Sequence, residues 1–183
     1  MSRTISESEK RRRLKDLIAD FDTAMLVTRT PDGILRSRPL AIARSQGDSA
    51  LYFSTAIDST KVNEISCDPH VNLTMQDRRR FVSLSGIAHV EIDRELVKSL
   101  WLESWRIWFP QGWKDPSLAI LVVEPTEATY WDLTGQEGLR YLFESAKAYV
   151  TGTRPDSDDD QLHMAHVKLS PSAHFPIAAA RRY

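Results

Sequence analysis

Residues 23–43, TAMLVTRTPDGILRSRPLAIA, hold two strand-like runs on either side of Pro31-Asp32-Gly33, a strong hairpin turn. In an extended chain, residues two apart share a face. Ile34, Arg36, Arg38, Leu40 and Ile42 therefore point one way, which puts two guanidinium groups beside three aliphatic side chains. An unpaired charge in apolar surroundings is costly, so these arginines need an anion. Two are open at this stage: an aspartate or glutamate across a dimer face, or a phosphate monoester.

Outward from the hairpin the chain continues in strands. ALYFST (50–55) follows the turn cluster RSQGDS, and HVNLTMQD (70–77) and FVSLSGIAHVEI (81–92) come next. LAILVVEP (118–125) is a sixth strand, and ATYWDL (128–133) carries on past Pro125 as a seventh. In the fifth, Val82, Leu84, Ala88, Val90 and Ile92 share a face with Gly86 among them. Ser6 and Glu9 form a capping box ahead of Leu14, Leu17, Ile18 and Phe21, so 6–21 is read as an amphipathic helix. Its run Lys10-Arg11-Arg12-Arg13 lies among Glu7, Glu9 and Asp16 and is read as a solvated face. A short helix spans 59–67 and stops at Asp68 before Pro69, with the lone cysteine, Cys67, as filler at its end. A third helix starts near Asp93, carries Val97, Trp101, Ser104, Trp105 and Trp108 as one stripe, and closes at Pro110. A fourth covers 139–150; the polar stretch 151–161 is read as mobile, and the remaining tail shows no usable periodicity. This pattern predicts a mainly β, α+β fold: a small barrel of six to seven antiparallel strands in meander order, with peripheral helices. The domain is expected over 1–152, with 153–183 as a C-terminal tail.

Composition narrows the function classes. With 183 residues, 42% hydrophobic and 27% charged, the chain has the balance of one ordinary globular domain. A net charge of −1 gives no overall attraction to nucleic acid. A single cysteine cannot form an internal disulfide, the N-terminus lacks the apolar core of a signal peptide, and no stretch approaches a membrane span. A reducing, cytoplasmic setting is expected. There is no G-x-G-x-x-G and no Walker loop. His163 and His166 have no acidic or cysteine partner in sequence, so no metal site is expected there.

The third strand runs into Phe53-Ser54-Thr55-Ala56-Ile57-Asp58-Ser59-Thr60-Lys61. Hydroxyls at 54, 55, 59 and 60 thus precede a helix whose second or third residue is lysine. A helix N-terminus offers unpaired N–H groups and partial positive charge, suited to a phosphate, and Ser59 is a natural N-cap. The arginine strand comes just before this one in the meander and is expected beside it at the roughly 5 Å of hairpin neighbours, so Arg36, with Arg38, is expected to reach the same anion as Lys61.

RSRPL with YFSTAIDSTK resembles the FMN-binding split-barrel superfamily typified by pyridoxamine 5′-phosphate oxidase. WFPQGWKDPSLAILVVEP, ATYWD and LRYLFESAKAYVTG resemble its general stress protein 26-like branch, and the likeness runs from about residue 10 to residue 152. The resemblance implies a split β-barrel homodimer with FMN at the subunit interface. Arg36 and Lys61 would hold the flavin phosphate, with hydroxyls from Ser59 and Thr55. Ser37, Arg38, Pro39 and Leu40 would line the ribityl chain and ring largely through backbone groups, and Phe53 and Ser54 would complete the wall. Trp108, from the partner chain, and next Trp131 are the candidates to cover the ring, because indoles stack on aromatic faces; Trp101 and Trp105 are read as core or dimer contacts. Thr60 stands where the oxidases often carry a basic residue, which removes one phosphate contact. No counterpart of their C-terminal substrate-binding arginine and histidine is present, so the resemblance carries flavin binding but not pyridoxamine phosphate oxidation. Two functions follow as expectations: an FMN-dependent oxidoreductase linked to general stress, with no protein acid or base assigned and the electron donor a small molecule, or a non-catalytic protein that sequesters or senses flavin. A deazaflavin or haem in the same cleft is the weaker third.

Overall fold

Gly33 sits at φ +85°, a left-handed conformation that costs glycine little, and closes the first hairpin. Its N–H donates to the Thr30 carbonyl at 2.8 Å, and the Thr30 N–H donates to the Ile34 carbonyl at 2.8 Å. The computed structural model describes residues 6–45, 50–134, 152 and 164–169. The hairpin strands are β1 (Thr23–Arg29) and β2 (Leu35–Ala41), followed by β3 (Arg44–Ser45), β4 (Leu51–Ala56), β5 (His70–Gln76), β6 (Arg80–Glu91), β7 (Leu118–Asp132) and β8 (Met164–Lys168). The helices are α1 (Glu7–Ala19), α2 (Thr60–Cys67) and α3 (Arg94–Leu100), with 3-10 turns at Glu103–Ile107 and Gly112–Lys114.

All the strand pairs are antiparallel, and the fold is the expected α+β split barrel. The strand order is β2-β1-β5-β6-β7-β4-β3, with β8 added on β7. This corrects the simple meander: β2 and β4 are near the two ends of the sheet, not ladder neighbours. They approach one another where the sheet curls round, without a ladder between them. That seam, with α2 leading off β4, sets the position of every charged residue considered below.

The expected sixth and seventh strands are one. β7 runs continuously through Pro125, which pairs with Gly86 of β6, because its other edge is open there: β4 pairs with residues 118–123 and β8 with 127–131. Opposite, the β6 register slips at Ser85/Gly86, a bulge facing Pro125. A Cβ on Gly86 would lie 2.4 Å from the Glu124 carbonyl oxygen, so only glycine fits that crossing. The apolar run LAILVV is buried on both sides. Leu121 and Val123 face the barrel interior with Leu26, Phe53, Leu73 and Leu84, while Leu118, Ile120 and Val122 face a second core under α3, Trp105 and Phe109.

α1 forms where its capping box predicts. The Ser6 hydroxyl accepts from the Glu9 N–H at 3.2 Å, and the Glu9 carboxylate accepts from the Ser6 N–H at 2.9 Å. Leu14, Leu17 and Ile18 plug one side of the barrel core. The basic run is not simply solvated: Arg11 donates to the Lys168 carbonyl at 2.7 Å, and Arg13 pairs with Asp132. Two further expectations fail. The third helix breaks at Trp101, whose ψ of 130° ends α3, so Trp105 is buried while Trp108 is left exposed and the stripe is not one face. The tail, which showed no usable periodicity, contains β8, whose alternating Ala165 and Val167 enter the core. The helix expected over 139–150 lies outside the described residues. Among the described residues no helix is long and apolar enough to cross a membrane.

Candidate functional site

Alternation along β2 turns Arg36, Arg38 and Leu40 to one side. Leu40 packs on the barrel core, which leaves the two guanidinium groups at the rim of the seam. α2 crosses there because Val62 and Ile65 bury its apolar face, and the same helix carries Glu64 inward. The Glu64 side chain is only 3% exposed, and its carboxylate accepts from three side chains. Its Oε2 accepts from the Thr28 hydroxyl at 2.6 Å and from Arg38 Nη2 at 2.8 Å, and its Oε1 accepts from Arg36 Nη1 at 3.0 Å. Arg38 also donates to Thr28, closing a triangle of Thr28, Arg38 and Glu64. Within the chain, then, the anion the arginines were waiting for is a carboxylate. Burial alone raises the Glu64 pKa, but the bonds from Thr28 and Arg38, the Arg38 charge and the Arg36 bond outweigh it and hold the group below its ordinary value.

The two arginines are not equivalent. Arg38 is 22% exposed and bonds inward to Glu64 and Thr28, whereas Arg36 is 53% exposed. Ser59 and Lys61 complete the rim, with Thr55 buried behind Ser59: Thr55 Oγ1 lies 3.1 Å from Ser59 Oγ, and Lys61 Nζ donates to Ser59 Oγ at 3.2 Å. Ser59 is the N-cap of α2 by backbone conformation, but its hydroxyl makes no capping bond. It faces the lysine instead, so the first N–H groups of the helix are not capped by that side chain. Burial, then the Arg38 charge, lowers the Lys61 pKa, and Glu64 opposes them in part. Arg36, Arg38 and Lys61 against Glu64 leave two positive charges at the seam. A cluster so charged, edged by two hydroxyls and a helix start, is suited chemically to a dianion.

The other expected site residues are spread more widely. Phe53 is fully buried in the barrel core and offers no open wall. Ser54 is on the opposite face of β4 from Thr55, so the hydroxyl pair divides between two sides of the strand. Ser37 and Pro39 are exposed on the face of β2 away from Arg36. Trp131 follows Ala119, the ladder partner of Thr55, by residues 119 to 131, about 40 Å of extended strand at about 3.3 Å per residue. Trp108 is 69% exposed beyond the second core. Neither indole belongs to the charged cluster of its own chain.

Glu64 and Thr28 are the residues that reading the sequence missed. A signal existed for Glu64: it follows Lys61 by about one helical turn, and it is the one carboxylate within α2. Among the described residues no group of three or more histidine, cysteine, aspartate or glutamate side chains could hold a metal ion.

Comparison with known proteins agrees with this architecture. A family model described as pyridoxamine 5′-phosphate oxidase like matches residues 9–156. The protein bli-3 of Neurospora crassa is 29% identical over 119 residues, covering 58% of this chain and 57% of that protein, so the match spans little more than half of that relative. A solved structure described as general stress protein 26, from Jannaschia sp. CCS1, superposes with a TM-score of 0.67 at 24% identity, covering 88% of this chain and 99% of its own. The general stress FMN/FAD binding protein from Xanthomonas citri superposes with a TM-score of 0.59 at 23% identity, over 72% of this chain and 93% of its own. At these identities the likeness is one of fold.

Proposed function

This chain belongs to the pyridoxamine 5′-phosphate oxidase-like family, and from that premise we propose that it binds FMN, with the flavin phosphate at the seam between β2 and α2. The observation that carries the reading is that Arg36, Arg38 and Lys61 all lie around Glu64, with Lys61 on the Ser59 hydroxyl, and that two positive charges are left after Glu64 is counted. An FMN phosphate is close to a dianion at neutral pH, so its charge and its demand for donors both fit this set. Bound FMN supplies hydride and electron transfer; the protein contributes binding and orientation. Arg36 and Lys61 donate to the phosphate, Ser59 and Thr55 add hydroxyls, and the exposed backbone of Ser37 to Leu40 lines the route out of the seam.

The neighbour described as an FMN/FAD binding protein supports the cofactor class, and the neighbours described as general stress proteins support a stress-linked flavoprotein. A flavin-dependent oxidoreductase is the activity this reading favours. It also takes the protein to a homodimer: Leu35, Ile107 and Trp108 are large apolar side chains left exposed in the single chain, and Trp108 would reach a flavin held by its partner. The purified protein is expected to be yellow with flavin absorption bands and to run at twice the monomer mass. Arg36→Ala and Lys61→Ala should lose the bands. Reduction of the bound flavin by NADH or NADPH followed by reoxidation identifies an enzyme; a flavin inert to both identifies a storage or sensing protein. A colourless protein that ignores added FMN overturns the proposal.

A further inference from the structure

We propose that Glu64 is a positioning residue for the phosphate site: through the buried triangle with Thr28 and Arg38 it holds Arg36 in the orientation that receives the anion. The inference rests on the flavin reading above and goes beyond it, because Glu64 carries the same sign of charge as the ligand and would not be expected in an anion site.

The geometry assigns the roles by depth. Glu64 is buried, Arg38 is mostly covered, and Arg36 is half exposed. Arg38 spends its donors inward, on Glu64 Oε2 and on the Thr28 hydroxyl. Seen from the seam, the Glu64–Arg38 pair is close to neutral and presents little repulsion to a phosphate. Arg36 gives one nitrogen, Nη1, to Glu64 Oε1, and its side chain stays 53% exposed. A guanidinium has five N–H donors in a rigid fork, so one anchoring bond fixes the plane of all the others. A free arginine on an exposed strand pays side-chain entropy to adopt a single rotamer when its ligand arrives. Glu64 meets that cost before binding. Thr28, buried on β1 where it is paired with Arg36 in register, locks the carboxylate rotamer in turn.

Two mechanisms predict opposite signs for Glu64→Gln, an isosteric change. If Glu64 acted only by its charge, removing it would strengthen phosphate binding. If it positions Arg36, removal weakens phosphate binding despite the more positive site, because Arg36 and Arg38 lose their common anchor and repel each other and Lys61. Riboflavin, which lacks the phosphate, provides the internal control. FMN and riboflavin dissociation constants should be measured by fluorescence titration for the wild type, Glu64→Gln and Thr28→Val. Positioning predicts that Glu64→Gln weakens FMN about tenfold, equivalent to about 1.4 kcal/mol, and leaves riboflavin unchanged. Thr28→Val should weaken FMN less, about threefold, and also spare riboflavin; it serves alone should Glu64→Gln not fold. Equal weakening of both ligands, or unchanged or tighter FMN binding, overturns the inference while leaving the flavin reading standing. A wild type that binds riboflavin and FMN equally well overturns the phosphate site itself and the inference with it.

Discussion

Glu64 and Arg38 meet at 2.8 Å across the seam between α2 and β2, and the bond ties the helix to the strand at one end of the sheet order. Breaking a buried ion pair from one side leaves the other charge uncompensated, which costs roughly 3 kcal/mol or more. Glu64→Ala should therefore destabilise the protein by about 3 kcal/mol in urea unfolding, with Arg36→Ala costing much less because that side chain is half exposed and screened. Equal costs for the two variants would contradict this assignment.

The same carboxylate sets an acid limit. Its pKa in the folded protein is depressed by Thr28, Arg38 and Arg36 against the opposing effect of burial, with Lys61 the other charge nearby. A depressed carboxylate contributes stability that is complete above its unfolded value of about 4.3 and is lost as pH falls through the lower folded value. Unfolding free energies measured from pH 6 down to pH 3 should fall less steeply in Glu64→Gln than in the wild type. Parallel curves would remove Glu64 from the acid response.

Lys61 is shifted the other way from an exposed lysine: burial and Arg38 lower its pKa. Its cation is the binding form, so FMN affinity should weaken as pH rises through that lowered value, earlier than an ordinary lysine would allow. Lys61→Arg keeps its charge at all accessible pH and should flatten the alkaline limb. Lys61→Ala should weaken FMN at least tenfold at pH 7, the worth of one charge-assisted bond of about 1.5–3 kcal/mol. Titration of FMN between pH 7 and 10 tests both, and an alkaline limb that survives in Lys61→Arg belongs to another group.

Gly86→Ala should be far more damaging than Gly33→Ala. At Gly86 the new methyl meets the Glu124 carbonyl oxygen at 2.4 Å and the Pro125 Cα at 2.9 Å, both backbone atoms of a paired strand. Overpacking of this kind costs about 3 kcal/mol. At Gly33 the nearest atoms are the tip of Arg29, so only the left-handed backbone is penalised, by about 1–2 kcal/mol. Thermal denaturation of the two variants side by side gives the ranking.

Trp105 and Trp108 separate packing from ligand contact. Trp105 is buried in the second core, so Trp105→Ala should cost about 3–5 kcal/mol. Trp108 is exposed, so Trp108→Ala should leave monomer stability within about 0.5 kcal/mol. It should raise the fluorescence of bound flavin, since an indole on the ring quenches it. Unchanged flavin emission in that variant would exclude Trp108 as the cover.

Much of this was legible along the chain. Ser6 with Glu9, Pro31-Asp32-Gly33 and Asp68-Pro69 are local signals whose physics acts within a few residues, and α1, the first hairpin and the end of α2 fall where they predict. The alternation that put Arg36 and Arg38 on one face is equally local. What failed depended on distant partners. Pro125 looked like a strand end because a proline cannot join a ladder, yet β7 passes through it where neither β4 nor β8 pairs. The helix after Asp93 ended early because Trp105 and Phe109 pack against the outer face of β7. β8 was invisible because five residues of alternating burial mean little until an open edge of β7 receives them.

The sequence by itself determined that two arginines, a lysine and a run of hydroxyls would occupy a strand rim and a helix start, since side-chain direction in a strand and capping at a helix are properties of neighbouring residues. Only the tertiary structure decided that β2 meets β4 across a seam rather than in a ladder, and that Glu64 on α2 reaches both guanidinium groups there. The reason is physical: a charge is satisfied by whichever opposite charge the folded chain brings within about 3 Å, and that pairing is set by how the sheet curls, not by separation along the chain.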